Sequence, residues 1–252
     1  MTIESKYLYV LGAAIILAIA IIVYRVAKPT TQKPDSSLQT KLDERKNTFN
    51  AEAPESIKTT YSKGLQAVDE SGMIVGAKQL GQIAPDFELT NASGKAVRLS
   101  KMLKKGPVVL TWYRGGWCPY CNLTLHALQE ELPNIQMQGA SLLALTPELP
   151  DQSMSTAEKN ELQFEVLSDI NNNVAREYGI VYKLTDEVAA IYEEKFGLST
   201  YNGNDSNELP LAATYIINQK GEIIYAFLDT DYQKRAEPSE ITAKLKTFRK
   251  QN

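Results

Sequence analysis

The chain has 252 residues, 43% hydrophobic and 23% charged, with a formal net charge of −3. That length and balance suit one globular domain plus an additional segment. The mild acidity argues against a nucleic-acid partner, for which a basic patch is expected. Two cysteines exclude a disulfide-rich secreted scaffold.

Tyr7 to Tyr24, YLYVLGAAIILAIAIIVY, is eighteen residues without a charge. At about 1.5 Å per residue it nearly crosses a hydrocarbon core of about 30 Å, and Val26 and Ala27 extend it. Tyr7, Tyr9 and Tyr24 stand near its ends, as interfacial aromatics do. A cleaved signal peptide is the rival reading. Its apolar core would be shorter, roughly 7–15 residues, and Val23-Tyr24-Arg25 lacks the small residues of a cleavage site. Residues 1–28 are therefore expected to form an uncleaved, single-pass membrane anchor. Lys6 precedes the span, and Arg25, Lys28 and Lys33 follow it. This charge difference is small, so the side on which the domain lies stays open.

Residues 29–53 are polar, rich in Pro, Ser, Thr, Gln and Lys, and read as a linker or solvated helical stalk. Residues 54–80 begin with Pro54 and place Ile57, Tyr61, Leu65 and Val68 at helical spacing, so an amphipathic helix packed on the domain surface is expected. The remaining residues, 81–252, carry the pattern of a mixed domain. Phe87–Leu89 and Val97–Leu99 flank a turn and predict a hairpin, after which Ser100 can cap a short helix.

Next comes GPVVLTWYRGGWCPYCNLTLHALQ, from Gly106 to Gln129. Its apolar and β-branched run through Tyr113 reads as a strand buried on both faces. Arg114, Gly115 and Gly116 break it, and a helix follows with Leu123, Leu125, Leu128 and Leu132. Between them lie the chain's two cysteines, Cys118 and Cys121. Pro119 suits the first helical position, which puts Cys118 beside free backbone N–H groups at the positive end of the helix. A thiol so placed is expected to ionise at roughly 3.5–7.5 instead of about 8.5. Cys121 follows on the same helical face, more sheltered. The pair reads as a nucleophile, Cys118, and a resolving thiol, Cys121. A structural disulfide would close too short a loop to constrain the unfolded chain much. A zinc site needs about four ligands, and His126, the chain's one histidine, reads as a helix-surface residue. No metal or cofactor is expected.

Ala140–Thr146 is a second buried strand. Pro147–Ser155 reads as a turn-rich loop, with Thr156 capping a helix after it. Phe164–Leu167 is short and apolar, and Asn173–Tyr178 and Thr185–Phe196 read as helices. Tyr201–Glu208 is a polar loop. Ala213–Asn218 and Glu222–Phe227 flank a glycine turn as a hairpin, and a last helix carries Ile241, Leu245 and Phe248. Strands alternating with helices predict an α/β sandwich.

Trp117-Cys118-Pro119-Tyr120-Cys121 resembles the active-site turn of thioredoxin-fold proteins, and its CPYC is similar to that of glutaredoxins. The wider YRGGWCPYCNLTLHALQ resembles the peroxiredoxin-like branch of the alkyl hydroperoxide reductase/thiol-specific antioxidant family. The order Thr-Pro after a strand, then a helix, then FEVLSD, and the run DTDYQKRAEPSEI point the same way. The resemblance covers roughly Gly81 to Phe248. It implies a thioredoxin-like fold, a central mixed sheet flanked by helices, carried here behind an N-terminal transmembrane helix. The chain also departs from the family pattern. Thr111 and Gly115 stand where peroxiredoxins carry an activating proline and threonine, and Ala212 stands near their activating arginine. The thioredoxin-type cis-proline has no counterpart at Ala212-Ala213, with Pro210 displaced upstream, and Trp112 replaces the thioredoxins' buried acid. Arg114 is the local substitute that could stabilise a thiolate, or else a solvent-facing arginine. Arg235 is a second candidate for that role, or else a surface ion-pair residue.

The resemblance implies a membrane-tethered thiol peroxidase. Hydrogen peroxide or an organic hydroperoxide oxidises Cys118 to a sulfenic acid, Cys121 closes a disulfide, and a thioredoxin or glutaredoxin-like donor reduces it. The alternative is a thiol–disulfide oxidoreductase acting on protein disulfides. A tethered redox sensor is a third reading, with no positive sign beyond the anchor and linker.

Overall fold

The structure, a computed structural model, describes residues 37–91 and 93–251. The expected anchor, residues 1–28, lies outside them. Among the described residues no helix is long and apolar enough to cross a membrane.

The described chain opens with helix α1 (Leu38–Glu52), where the sequence reading places a linker or stalk. Its exposed face is polar, which is why composition suggests a solvated segment. Two leucines four positions apart, Leu38 and Leu42, lie on its other face and are buried. They pack with Tyr120, Leu125 and Val166 in one cluster that also holds both cysteines. Its first turn is held from far along the chain: the Glu237 carboxylate accepts from Leu38 N–H and Gln39 N–H at 3.2 Å each. An acid at a helix N-terminus satisfies orphan donors and complements the dipole. Leu42→Ala removes a side chain that is 1% exposed. It is expected to destabilise the domain by about 2–4 kcal/mol, measured by urea unfolding.

Helix α2 (Glu55–Glu70) follows, then a short helix α3 (Met73–Gly76). The expected hairpin is β1 (Glu88–Thr90) with β2 (Ala96–Arg98), closed by Asn91, whose side-chain oxygen accepts from Ser93 N–H and Lys95 N–H. Helix α4 spans Leu99–Leu103. Strand β3 (Val108–Trp112) is buried at every residue, as its apolar run predicts. Helix α5 (Pro119–Met137) and strand β4 (Ser141–Thr146) come next.

Helix α6 (Pro150–Lys159) starts earlier than the expected cap at Thr156. Pro150 takes its first position, where a fixed φ and a missing N–H favour initiation. Thr156 is thus inside the helix and its hydroxyl points to Glu148. Strand β5 (Glu165–Ser168) leads to Asp169, whose carboxylate accepts from Val174 N–H (2.9 Å) and Ala175 N–H (2.8 Å), fixing the start of α7 (Asn173–Glu177). Strand β6 (Val181–Lys183) precedes helix α8 (Asp186–Phe196), capped by Thr185. The polar stretch near Tyr201 holds a short helix, α9 (Leu198–Asn202), and ends in strand β7 (Glu208–Pro210), which pairs with β6. Strands β8 (Thr214–Ile217) and β9 (Ile223–Phe227) form the second expected hairpin, and α10 (Pro238–Gln251) closes the described chain.

The main sheet runs β5-β4-β3-β8-β9. Strands β3, β4 and β5 are parallel, and β8 and β9 are antiparallel to their neighbours. Side chains alternate across it. Leu110, Trp112, Leu143 and Tyr215 face a layer with Leu99 and Tyr178. Val109, Leu142 and Ile216 face α5 and α10 through Leu128, Leu132, Ile241 and Leu245. This is a thioredoxin-like α/β arrangement, and it aims the end of central strand β3 at the N-terminus of α5.

Candidate active site

The strand-to-helix turn is built around two glycines. Gly115 has φ +152°, and a Cβ there would lie 2.1 Å from the Trp117 ring. A Cβ on Gly116 would lie 2.1 Å from Thr156 Oγ1. The turn is clamped on both sides: Gly116 N–H donates to Glu148 Oε1 at 2.8 Å, and Gly116 C=O accepts from Asn122 Nδ2 at 2.8 Å. Cys118 is the residue that caps α5, with Pro119 at the first helical position, as the spacing predicts. Both cysteines are free thiols and both are buried, Cys118 to 2% exposure and Cys121 to 0%.

Arg114 is 1% exposed, so it is not a solvent-facing arginine. Its guanidinium lies 4.2 Å from the Tyr232 ring centroid, 5.1 Å from Trp117 and 5.2 Å from Tyr192. Its Nη2 donates to Tyr192 Oη at 2.6 Å, while Nε and Nη1 have no protein partner. The aromatic faces hold the cation by their quadrupoles, without neutralising it. Trp117 stacks in turn on Phe196, centroids 5.2 Å apart.

Arg235 corrects a second expectation. It is 7% exposed, not a surface residue, and its Nη2 donates to Cys121 Sγ at 3.5 Å. Backbone carbonyls of Lys234 and Tyr232 hold its Nη1. Two guanidiniums therefore act on the thiol pair, and among the described residues no ion pair joins either to a carboxylate.

The charge on the pair rests opposite to the expectation from the helix terminus. Burial, then the hydrogen bond and negative charge of Cys121, push the Cys118 thiol well above its ordinary value. Burial also opposes ionisation of Cys121. The hydrogen bond from Cys118 and the charges of Arg235 and Arg114 outweigh it and hold Cys121 well below the usual thiol range. The position at the helix terminus is thus overridden: Arg235, 114 residues away in sequence, and Arg114 both favour the charged form of Cys121. Ionisation of the pair is thus favoured at Cys121 over Cys118.

A cavity of about 270 Å³ opens on Cys118 and not on Cys121. Phe49, Tyr61, Trp117, Tyr192, Phe196 and Tyr232 form its walls, Arg114 borders it, and Arg45 and Lys195 add two more cations. Phe49 and Arg45 come from α1, so the supposed stalk supplies part of the site. Among the described residues no carboxylate lines this cavity.

The AhpC/TSA family model matches residues 80–226 of this chain. The chain belongs to the AhpC/TSA family. Peroxiredoxin Q of Triticum aestivum is 28% identical over 157 residues, covering 62% of this chain and 62% of that protein. This chain thus spans less than two thirds of that relative's length. Peroxiredoxin Q of Populus jackii is 27% identical over 174 residues, 67% of this chain and 71% of that protein. Among solved structures, the peroxidoxin BcpB of Mycobacterium tuberculosis superposes with a TM-score of 0.53 at 20% identity, covering 67% of this chain and 97% of that one. That likeness shows the fold.

Within this AhpC/TSA domain, the three positions singled out from the sequence come together: Arg114, Cys118 and Cys121 meet where β3 ends and α5 begins. His126 does not join them; it sits on the exposed face of α5, paired with Glu130 at 3.2 Å. The sequence reading missed Glu148, Tyr192, Tyr232 and the role of Arg235. None carries a local signal: Glu148 reaches the turn from the end of β4, Tyr192 reaches Arg114 from α8, and Tyr232 and Arg235 come from the segment after β9. Arg235→Met removes the cation nearest Cys121. The pair is then expected to ionise at higher pH, seen as a shift of the thiolate absorbance titration. A titration identical to wild type counts against a role for Arg235.

Proposed function

We propose that this AhpC/TSA protein is a thiol-dependent peroxidase for hydrogen peroxide or organic hydroperoxides. The observation that carries the reading is the cavity: it reaches Cys118 alone, with Cys121 sealed behind it against Arg235. Family membership supports the same chemistry. Cys118 passes its proton to Cys121 and attacks the distal peroxide oxygen as a thiolate. The O–O bond breaks, the distal OH stays on the Cys118 sulfur as a sulfenic acid, and the alkoxide or hydroxide leaves and takes a proton from solvent water. Arg114 borders the same cavity as Cys118, and its positive charge favours the oxygen charge that develops there. Cys121 then attacks the Cys118 sulfur, a disulfide forms and water leaves. A thioredoxin or glutaredoxin-like dithiol reduces the disulfide. Residues 1–28 tether the protein to a membrane as a single-pass anchor.

Stopped-flow fluorescence tests the central step. Trp117 sits beside both Cys118 and Arg114 in the site and reports on it. In the Cys121→Ser protein, mixing with hydroperoxide is expected to give a fast, single oxidation of Cys118. Oxidation no faster than that of a free thiol would overturn the peroxidase reading and leave disulfide exchange with protein substrates in its place.

A further inference from the structure

Four side chains of the cavity have no part in the steps above: Arg45 and Phe49 from α1, and Lys195 and Phe196 from α8. The rings join those of the site into one wall. Phe49 stacks on Tyr61 with centroids 5.6 Å apart, and Tyr61 meets Tyr192 edge-on at 5.7 Å. Tyr192 lies 5.1 Å from Trp117, which stacks on Phe196. Rings packed on one another are fixed before any ligand arrives, and a largely pre-formed apolar pocket with a few polar groups is the usual form of a small-molecule site. The Arg114 guanidinium lies over Trp117, Tyr192 and Tyr232, and not over Phe49 or Phe196. The outer rings therefore extend the wall beyond what holding that cation requires.

The charges are one-sided. Arg45 is half-buried and Lys195 is exposed, whereas Cys118 is 2% exposed, so both cations stand nearer solvent than the sulfur. Among the described residues no carboxylate pairs with either of them. Size points the same way. The cavity measures about 270 Å³, and a single water needs only about 10–15 Å³ of such space. Hydrogen peroxide, small and neutral, uses neither the ring wall nor the outer cations.

We propose that this cavity is a substrate site for organic hydroperoxides that carry an anionic group on a ring-sized apolar body, such as an aryl hydroperoxide bearing a carboxylate. The apolar body lies against the ring wall, Arg45 and Lys195 hold the anion, and the peroxide meets Cys118 beside Arg114. A cleft lined by one sign of charge concentrates ligands of the opposite sign, with gains of about tenfold to a thousandfold. Arg45 and Lys195 thus select the substrate, and the chemistry at sulfur stays as derived above. The proposal rests on the peroxidase reading and adds the substrate class to it.

The test uses the full chain carrying Cys121→Ser in a non-ionic detergent, with cumene hydroperoxide and its para-carboxylate as probes. The two share one O–O group and differ in charge. Trp117 fluorescence gives the rate constant for Cys118 oxidation by each. The carboxylate is expected to react at least about tenfold faster at low salt, and to lose most of that advantage at about 0.5 M salt. Adding Arg45→Gln and Lys195→Gln together is expected to lower the ratio of the two rates at least about fivefold. Partition into micelles is the same for both proteins, so the change in ratio reports the cavity. Arg45→Lys with Lys195→Arg keeps both charges and is expected to keep the ratio. If the ratio falls there as well, the two side chains act by shape and the proposal is overturned. An equal ratio with and without the two cations also overturns it, while the peroxidase reading stands. Oxidation by both probes and by hydrogen peroxide no faster than that of a free thiol overturns the peroxidase reading and this proposal with it.

Discussion

Cys118→Ser is expected to reduce hydroperoxide turnover by about three orders of magnitude or more, to the uncatalysed background. A serine hydroxyl at that position neither ionises at neutral pH nor forms a stable sulfur–oxygen intermediate. Cys121→Ser is expected to behave differently: one rapid oxidation of Cys118, then arrest, with the sulfenic acid open to trapping by dimedone. The pair of variants decides a real question, because the negative charge of the reduced pair rests on Cys121 while the cavity reaches Cys118. Access decides which sulfur meets the peroxide, since Cys121 is 0% exposed and lies behind its partner. Proton transfer within the pair then delivers the thiolate where it is needed. The reverse pattern, with Cys118→Ser still turning over and Cys121→Ser dead at the first step, would show that Cys121 is the nucleophile.

Arg114→Met is expected to slow the oxidation of Cys118 by about two orders of magnitude without lowering the melting temperature. Two effects separate here. In catalysis, the guanidinium borders the cavity that holds Cys118, its Nε and Nη1 nitrogens have no protein partner, and its charge favours ionisation of both thiols. In stability, the same group is a buried cation without a carboxylate, held by three aromatic faces and one tyrosine hydroxyl. Replacing such a charge with an apolar side chain of similar length removes a desolvation cost, so stability is expected to hold or rise. Arg114→Lys is expected to recover little, because an ammonium cannot span three rings and donate from a planar fork. Melting temperature and rate falling together would show that Arg114 matters for packing. An unchanged rate would remove it from the chemistry.

Much of this site is legible locally. The buried run from Val108 to Trp112 makes a strand under almost any packing, and Arg114-Gly115-Gly116 must end it. Pro119 then starts a helix, so Cys118 falls at its terminus and Cys121 one turn in. The glycines have specific reasons that the sequence only hints at: one avoids the Trp117 ring and the other avoids Thr156. Helix α1 reads as a stalk in sequence because only Leu38 and Leu42 mark its buried face, too few for a periodic signal. Thr156 has the chemistry of a cap, yet Pro150 starts the helix six residues before it. Arg235 looked like one more surface charge in DTDYQKR.

What the sequence alone determined is therefore the nucleophile pair and its mounting: order of elements, strand, turn, proline, and two thiols one helical turn apart. Those follow from interactions between near neighbours, which any compact fold of this chain preserves. Tertiary structure alone decided the electrostatics. Arg235 returns from beyond β9 to Cys121, Glu148 arrives from the end of β4, and Tyr192 and Tyr232 enclose Arg114 from α8 and the segment after β9. Helix position and local spacing predict charge on Cys118, whereas the hydrogen bond from Cys118 and the charges of Arg235 and Arg114 favour it on Cys121 against the cost of burial. Charges interact through space and are weighted by burial. Neither quantity is encoded by position along the chain.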